Sequence, residues 1–261
     1  MNAVDLLAAE TGCSKQKIKQ AMQKGAVWIS DGKGTRRLRR KSQNLKQGST
    51  LHFYFDESVL EAIPVNAILI ADEGAYSVWY KPRGMLSQGS KWGDHCAINR
   101  WVELNVKPER PAFTIHRLDR FASGLILLAH KKKTAAQLAA LFEEKNIIKQ
   151  YKVIVSGQFP DKKITFDNAV EGKAATSHVT LLDYDREKDR SLVRVEIESG
   201  RKHQIRRHLS DAGFPVVGDR QYGTGKDEGD LQLTAFSLSF ICPLTGMQKN
   251  YILPESLQPK L

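Results

Sequence analysis

The sequence predicts an α+β fold, with a mixed, mostly antiparallel central sheet, flanking helices and a small basic α/β module at the N-terminus. Three observations predict it: many short apolar runs typical of strands, few helical segments, and an uneven charge distribution. The strands do not alternate regularly with helices, which argues against a doubly wound parallel sheet. A hydrophobic fraction of 41% is enough for a sizeable core, so a disordered chain is excluded.

The excess of positive charge is concentrated near the N-terminus. The 261 residues include 40 Lys and Arg against 29 Asp and Glu, a formal net charge of +11. Residues 1–60 hold over half of this excess. The asymmetry predicts a basic module over residues 1–60 and a second domain over residues 61–261. The charge also predicts a polyanionic partner, of which nucleic acid is the common one.

Capping and turn residues predict the elements of the N-terminal module. Ser14 is a suitable N-cap for a helix over residues 15–24, and Gly25 is suited to end it. Residues 27–29 are predicted to form a strand, and the alternating run 51–55 a half-buried strand. The densest basic run lies between these strands. It predicts phosphate contacts by Arg36, Arg37, Arg39, Arg40 and Lys41.

A linker is predicted at residues 56–65, and the chain beyond it is rich in strands. Strands are predicted at residues 68–70, 77–80, 113–115, 125–129, 151–155, 163–166, 178–182, 192–197, 231–241 and 250–253. Helices are predicted at residues 97–104, 134–144 and 203–211. This order fits a mixed sheet with a few helices on its faces.

The sequence argues against several classes of protein. The longest uninterrupted apolar runs, such as residues 125–129, are far shorter than the roughly 20 residues that span a bilayer. Cys13, Cys96 and Cys242 form no CxxC pair, which argues against a zinc ribbon or a redox dithiol. We therefore expect no membrane partner and no bound metal. The sparse cysteines predict a cytoplasmic location, and a monomer is the default expectation.

Two segments place polar residues beside apolar stretches. Residues 113–130, FTIHRLDRFASGLILLAH, put Asp119 between apolar runs, where a carboxylate needs a cationic partner. Residues 198–223, ESGRKHQIRRHLSDAGFPVVGDRQYG, put Arg206 on a predicted helix. Arg206 is a candidate partner that would keep Asp119 ionised. Physical chemistry alone favours a functional Asp119 only slightly over a structural Asp in a turn.

These segments resemble the signature motifs of the RluA-type pseudouridine synthase family. Residues 116–125 match its H-R-L-D-x-x-x-S-G-L pattern, and residues 200–209 match its G-R-x-H-Q-I-R-x-H-L run. A G-x-P-x-x-G-D-x-x-Y-G match follows directly, and the resemblance covers about residues 66–255 in motif order. Ala122 and Thr234 stand where the family commonly has Thr and His. The N-terminal module in turn resembles the S4-like RNA-binding module.

The resemblance implies an enzyme that isomerises uridine in RNA to pseudouridine without a cofactor or a metal. It implies that Asp119 is the catalytic aspartate, that Arg206 pairs with it, and that Tyr151 packs on the target uracil. Arg117 would replace or hold the extruded nucleotide, because the target base must leave its stack. The S4-like module favours rRNA over tRNA as the substrate. Whether Asp119 acts as a nucleophile or as a base stays open.

Two other functions compete with this interpretation. The first is a non-catalytic RNA-binding protein on the same fold, which would not need Asp119, Tyr151 and Arg206 together. The second is a nuclease or a glycosidase, which would need clustered or paired carboxylates. The sequence offers one convincing catalytic carboxylate, and this favours an isomerisation.

Overall fold

The N-terminal module consists of two helices and a three-stranded sheet in the computed structural model, which describes residues 2–225 and 229–261. Its elements are α1 (Ala3–Thr11), α2 (Lys15–Lys24), β1 (Val27–Asp31), β2 (Gly34–Arg37) and β3 (Thr50–Phe53). The strand order is β2-β1-β3, and both pairings are antiparallel. Helix α2 and strand β1 confirm the predicted elements, whereas α1 is a helix that the sequence prediction lacked.

Capping residues fix where α2 begins and ends. The Ser14 hydroxyl accepts a hydrogen bond from the Lys17 backbone N–H at 3.2 Å, which satisfies one of the unpaired donors of the first turn. Gly25 ends the helix in the left-handed conformation, with φ of 88°. Asn2 caps α1 in the same way, since its side chain accepts from the Asp5 N–H at 2.9 Å.

Side chains alternate across the sheet of this module, as the pleat of a strand requires. Val27 and Ile29 on β1 are buried in one core with Ile18 and Met22 of α2. Trp28, between them in sequence, lies on the opposite face of the sheet and is only half-buried. The module therefore has one face closed by its helices and one outer face.

The predicted linker contains a short helix, α3 (Glu57–Glu61). The Asp56 side chain caps it by accepting from the Val59 N–H at 3.2 Å. Leu60 is buried in the core of the N-terminal module. The segment predicted as a linker therefore contains a helix that packs on the N-terminal module through Leu60, a contact that the local sequence does not reveal.

Within the described residues, the rest of the chain forms a ten-stranded sheet with three α-helices. The strands are β4 (Ile68–Asp72), β5 (Tyr76–Lys81), β6 (Phe113–Thr114), β7 (Ser123–Ala129), β8 (Ile147–Ser156), β9 (Ile164–Phe166), β10 (Ser177–Asp185), β11 (Arg190–Ile197), β12 (Leu233–Ile241) and β13 (Gln248–Ile252). The helices are α4 (Ile98–Asn105), α5 (Lys132–Glu143) and α6 (Gln204–Asp211). All three helices were predicted, with ends shifted by at most two residues.

The sheet is mixed and mostly antiparallel, as predicted. Its strand order is β4-β5-β7-β12-β8-β11-β10-β9, with β13 beside β12 and β6 beside β7. Among the described strands, only the pairing of β7 with β12 is parallel. Strand β7 is buried along its whole length, so the segment that follows Asp119 enters the interior directly.

The contact between β7 and β12 requires a glycine. Gly124 has φ of 121°, and a Cβ on it would collide with the backbone of Ala235 on β12. Next to this contact, the hydroxyls of Ser123 and Thr234 share a buried hydrogen bond of 2.9 Å. Thr234, which departs from the family pattern, therefore has a polar partner in the core.

A buried carboxylate ties the N-terminal module to the loop before α4. Asp94 accepts Arg39 Nη2 at 2.5 Å and lies 3.3 Å from Arg37 Nε, and its side chain is 7% exposed. The Asp94 N–H also donates to the Lys24 carbonyl at 2.9 Å. Gly25 leaves room for this contact, since a Cβ there would lie 2.5 Å from Asp94 Oδ1. We call Arg37, Arg39 and Asp94 the Asp94 clasp.

Candidate active site

Asp119 lies in the loop between β6 and β7, with its side chain 26% exposed. The Ser87 hydroxyl fixes this loop, because it accepts from the Leu118 N–H at 2.9 Å and donates to the Leu118 carbonyl at 2.7 Å. The Ala122 N–H donates to the Asp119 carbonyl at 3.2 Å, which closes a turn before β7. The backbone is therefore held on both sides of the carboxylate.

A fully buried lysine at the end of β5 supports the same turn. The Lys81 Nζ donates to the Met85 carbonyl at 2.9 Å and to the Ala122 carbonyl at 2.7 Å. The carbonyls of Pro82 and Arg120 also lie within hydrogen-bonding distance. Burial lowers the pKa of Lys81 to about 7, and the charge of Asp119 opposes this shift. Lys81 therefore cross-links the strand end to the turn that carries the carboxylate.

Arg206 on α6 contacts two carboxylates. Its Nη1 donates to Asp119 Oδ2 at 3.2 Å, which is the contact that the sequence predicted. Its Nε and Nη2 bind both oxygens of Asp219, at 2.6 and 2.7 Å. The Asp219 side chain is completely buried, and it also accepts the backbone N–H groups of Gln221 and Tyr222. Asp219 is therefore the principal partner of Arg206 and fixes the guanidinium that faces Asp119.

The pair of Arg206 and Asp219 is charged despite its burial. Burial acts to lower the pKa of Arg206, but the hydrogen bonds and charge of Asp219 outweigh it, and the pKa is raised. Burial acts to raise the pKa of Asp219, but Arg206 and the two backbone donors outweigh it, and this pKa is lowered. The guanidinium is thus a fixed positive charge beside Asp119.

His203 is a third group near the carboxylate. It precedes α6 in the left-handed conformation, with φ of 56°. Its Nε2 lies 3.8 Å from Asp119 Oδ2, and its Nδ1 lies 3.0 Å from the Tyr222 hydroxyl. Burial lowers the pKa of His203, and the charge of Asp119 opposes this shift. The sequence did not predict this contact between His203 and Asp119.

Tyr151 lies in β8, which begins four residues earlier than the sequence predicted. Its ring is 9% exposed and borders the same cavity as Asp119. Burial raises the pKa of Tyr151, and the charge of Asp119 raises it further, so the phenol stays neutral. A neutral aromatic ring beside a carboxylate can pack against a planar base.

Asp119 and Tyr151 border a cleft of about 960 Å³. Six basic residues share its walls with the acidic Asp119, Glu143 and Glu198: Arg117, Arg120, Lys145, Lys149, Arg201 and Lys202. Arg117 is exposed, and no hydrogen bond or ion pair joins it to the described residues. A cleft lined mainly by one sign of charge concentrates the opposite charge, so this one suits a polyanion.

The basic run of the N-terminal module lies apart from this cleft. Arg36 forms an exposed bidentate pair with Asp31, with both contacts at 2.7 Å. Arg37 and Arg39 belong to the Asp94 clasp. Arg40 and Lys41 are exposed and have no ion-pair partner among the described residues. Phosphate binding by the five residues stays a prediction, with Arg40 and Lys41 offering the unpaired charge.

Three residues that hold the site were not predicted: Lys81, Ser87 and Asp219. Asp219 belongs to the G-x-P-x-x-G-D-x-x-Y-G motif, 13 residues after Arg206. Its position could have suggested that Arg206 binds both Asp119 and Asp219. Nothing in the sequence around Lys81 shows that its ammonium contacts four carbonyl groups. The sequence around Ser87 does not indicate its contact with Leu118, because this contact depends on how two distant loops pack together.

One histidine in the site region has a structural contact. His116 Nε2 accepts from the Leu127 N–H at 3.1 Å, and burial lowers the pKa of this ring to about 3.

Residues 2–225 and 229–261 contain no group of three or more His, Cys, Asp and Glu side chains placed to hold a metal ion. None of the described helices is long and apolar enough to cross a membrane.

Two solved human structures have a similar fold. Human RNA pseudouridylate synthase domain containing 1 superposes with a TM-score of 0.59 at 21% identity, over 73% of this chain and 84% of that one. Human RNA pseudouridylate synthase domain containing 4 superposes with a TM-score of 0.58 at 22% identity, over 73% of this chain and 90% of that one. These likenesses show that the fold is that of pseudouridylate synthases.

The sequence is similar to those of several RNA pseudouridine synthases. An uncharacterized RNA pseudouridine synthase of Zymomonas mobilis is 32% identical over 69% of this chain and 88% of its own length. The YlyB protein of Bacillus subtilis, also an uncharacterized RNA pseudouridine synthase, is 31% identical over 71% and 68%. The tRNA pseudouridine synthase C of Vibrio parahaemolyticus is 28% identical over 70% and 88%.

The profile of the RNA pseudouridylate synthase family matches residues 75–211, over half of the chain. The chain therefore belongs to the RNA pseudouridylate synthase family. It is an isomerase that converts uridine in RNA to pseudouridine, and RNA is its substrate. The matched region includes Asp119, Tyr151 and Arg206. This membership favours the isomerase over the non-catalytic RNA-binding protein and over the hydrolases.

Proposed function

We propose that the chain isomerises uridine in a structured RNA with Asp119 as its catalytic residue. One observation carries the proposal: the Asp119 carboxylate lies in a cleft rich in basic residues, beside Tyr151 and 3.2 Å from Arg206. The reaction breaks the bond from the sugar to the uracil nitrogen and forms a carbon–carbon bond between the same two rings. Atoms and electrons balance within the nucleotide, so one oriented carboxylate is sufficient.

The two oxygens of Asp119 have different surroundings. Oδ2 accepts from Arg206 and lies near His203, whereas Oδ1 accepts no hydrogen bond from the described residues. Oδ1 is therefore the oxygen available to the nucleotide. It can attack the sugar as a nucleophile or remove a proton from the ribose as a base. In either role, Arg206 sets the direction in which the carboxylate points.

The target nucleotide has to leave its stack to reach Asp119. In this proposal the extruded uracil packs against the neutral ring of Tyr151, which borders the cavity next to the carboxylate. Arg117 is exposed at the wall of the same cleft. Its guanidinium replaces or holds the extruded nucleotide, because a planar cation can stack on bases and bind phosphate.

The proposed substrate is rRNA, with tRNA as the second candidate. In this proposal the enzyme is a monomer and acts in the cytoplasm. The S4-like character of the N-terminal module supports rRNA. One relative, the tRNA pseudouridine synthase C of Vibrio parahaemolyticus, has a name that specifies tRNA, and this supports tRNA as the second candidate.

Mapping pseudouridines in total RNA tests the proposed function. RNA from a strain that lacks the chain should be compared with RNA from the same strain complemented with the wild-type chain or with Asp119→Asn. We expect one or more pseudouridines in rRNA to disappear, to return with the wild-type chain and to stay absent with the variant. Missing sites confined to tRNA would overturn the rRNA assignment, and an unchanged map would overturn the function.

The basic run makes a separate prediction about affinity. Replacing Arg40 and Lys41 by Ala removes two exposed charges, so RNA affinity should fall and its salt slope should flatten by roughly 1.5. Filter binding at several salt concentrations measures both quantities. A matched control is the pair Lys162→Ala and Lys163→Ala, which is exposed and does not border the cleft. Equal slopes for the two double variants would contradict phosphate binding by the run.

A further inference from the structure

The outer face of the N-terminal sheet carries aromatic side chains. Trp28 on β1 pairs with His52 on β3 and with Arg37 on β2, so the three side chains share one face. Tyr54 follows two residues after His52, and the two rings are parallel to within 3°, with centroids 6.2 Å apart. Because the helices close the other face, these aromatic groups form a surface outside the module's core.

The loop before α4 adds two residues to this surface. The Lys91 Nζ lies 5.0 Å from the ring centroid of Tyr54 and 4.6 Å from that of Trp92. The Trp28 Nε1 donates to the Lys91 carbonyl at 3.0 Å. Trp92 is 41% exposed, which is high for so large an apolar side chain. We call Trp28, His52, Tyr54, Lys91 and Trp92 the aromatic face.

The Asp94 clasp holds the two halves of the aromatic face together. Arg37 stacks on Trp28 with its guanidinium carbon 4.3 Å from the ring centroid, and it donates to the Ser90 carbonyl at 2.6 Å. Arg39 binds Asp94 in the same loop. The tip of the loop thus has a fixed position against the sheet, and Trp92 is presented to solvent by a supported backbone.

Charge and distance indicate what binds to the aromatic face. Lys91 forms no ion pair with a described carboxylate, so its charge is available to a phosphate. Ser87, five residues before Trp92, borders the catalytic cleft. Five residues span at most about 17 Å, which is the length of about five stacked nucleotides. Aromatic rings interleaved with a cation are the usual platform for unpaired bases.

We propose that unpaired bases of the substrate RNA, a few nucleotides from the target uridine, stack on the aromatic face. Trp92 and Tyr54 supply the stacking rings, and Lys91 between them contacts the phosphate backbone. The proposal rests on the proposed function only in taking RNA as the substrate. It gives the two domains one shared RNA surface, since the rings come from both of them.

Binding of an oligonucleotide without uridine tests this surface separately from catalysis. The probe is an oligoadenylate of about eight nucleotides, titrated against the full chain at about 0.1 M NaCl with tryptophan fluorescence and anisotropy. We expect Trp92→Ala and Tyr54→Ala each to weaken binding about fivefold or more. We expect Trp92→Phe to keep most of the affinity, because a ring remains. The fluorescence quench should be smaller in Trp92→Phe than in the wild-type chain.

Tyr184→Ala is the matched control, because Tyr184 lies on the hairpin of β10 and β11 and does not border the cleft. It should bind the probe like the wild-type chain, and thermal melts should show that all variants fold. Wild-type affinity in both Trp92→Ala and Tyr54→Ala would overturn the proposal. So would a dimer seen by sedimentation that Trp92→Ala abolishes without changing RNA affinity. Pseudouridine formation by the wild-type chain, measured in parallel, tests the proposed function independently.

Discussion

Replacing Asp119 by Asn is expected to abolish pseudouridine formation. The amide keeps the size of the side chain but can neither attack the sugar nor accept a proton. As a base, the carboxylate would account for roughly 10² to 10⁴-fold in rate, and as a nucleophile its loss leaves no path to the product. Single-turnover assays with a mapped RNA substrate measure the effect.

Binding must be separated from turnover in this experiment. Because Asp119 is 26% exposed and its loop is held by Ser87 and Lys81, the variant should fold and bind RNA within a few-fold of the wild-type chain. Asp72→Asn is a suitable control, since Asp72 also pairs with an Arg but does not border the cleft. It should retain full turnover. Substantial turnover by the Asp119 variant would remove Asp119 from its catalytic role.

Replacing Asp219 by Asn is expected to produce the largest loss of stability. The substitution breaks a buried ion pair and leaves Arg206 without its bidentate partner. The expected loss is about 3–5 kcal/mol in the free energy of unfolding. Turnover should fall as well, because the guanidinium that faces Asp119 is no longer fixed. Urea unfolding monitored by circular dichroism measures the first effect, and single-turnover rates measure the second.

The stability that Asp219 contributes is expected to decrease in acid. In the folded chain Arg206 and two backbone donors hold the pKa of Asp219 below its ordinary value of 3.8, although burial opposes them. The stability that the pair contributes is therefore complete above pH 3.8 and is lost as the pH falls through the folded pKa. The difference between the wild-type chain and Asp219→Asn should be constant near neutral pH and shrink in acid.

An exposed ion pair formed by Arg207, the residue after Arg206 on α6, provides the control for Asp219. Arg207 and Glu171 are 3.0 Å apart, and their side chains are 33% and 50% exposed. Glu171→Gln should cost less than about 1 kcal/mol, because water screens an exposed pair. If Asp219→Asn cost no more than Glu171→Gln, the buried pair would not be what holds Arg206 in place.

The strands of the large sheet could be predicted from sequence because each has a local pattern. Apolar runs such as residues 125–129 are short and separated by turns, so the number of strands and their approximate positions were correct. The contact between Asp119 and Arg206 was also predicted, since a carboxylate in an apolar setting requires a cation. Both inferences use information that lies within a few residues of each element.

The features that were missed depend on contacts between distant segments. The apolar residues of α1 are buried only because the helix packs against the rest of the N-terminal module. Leu60 is buried in the same core. Arg37 and Arg39 look like phosphate ligands in sequence, and only the folded chain shows that Asp94 binds them. A charged residue does not reveal its partner when the partner is about 55 positions away.

Gly25 limits how freely the N-terminal module could be exchanged for one from another protein. Its missing side chain makes room for Asp94, and a Cβ there would also lie 2.9 Å from Arg37 Nε. A foreign RNA-binding module fused to residues 61–261 would bring its own residues to these positions. Unless it carried a glycine and two arginines in the same geometry, Asp94 would be buried without a partner or forced out into solvent. A working chimera therefore needs a module that carries the equivalents of Gly25, Arg37 and Arg39, so that Asp94 keeps its space and its two partners.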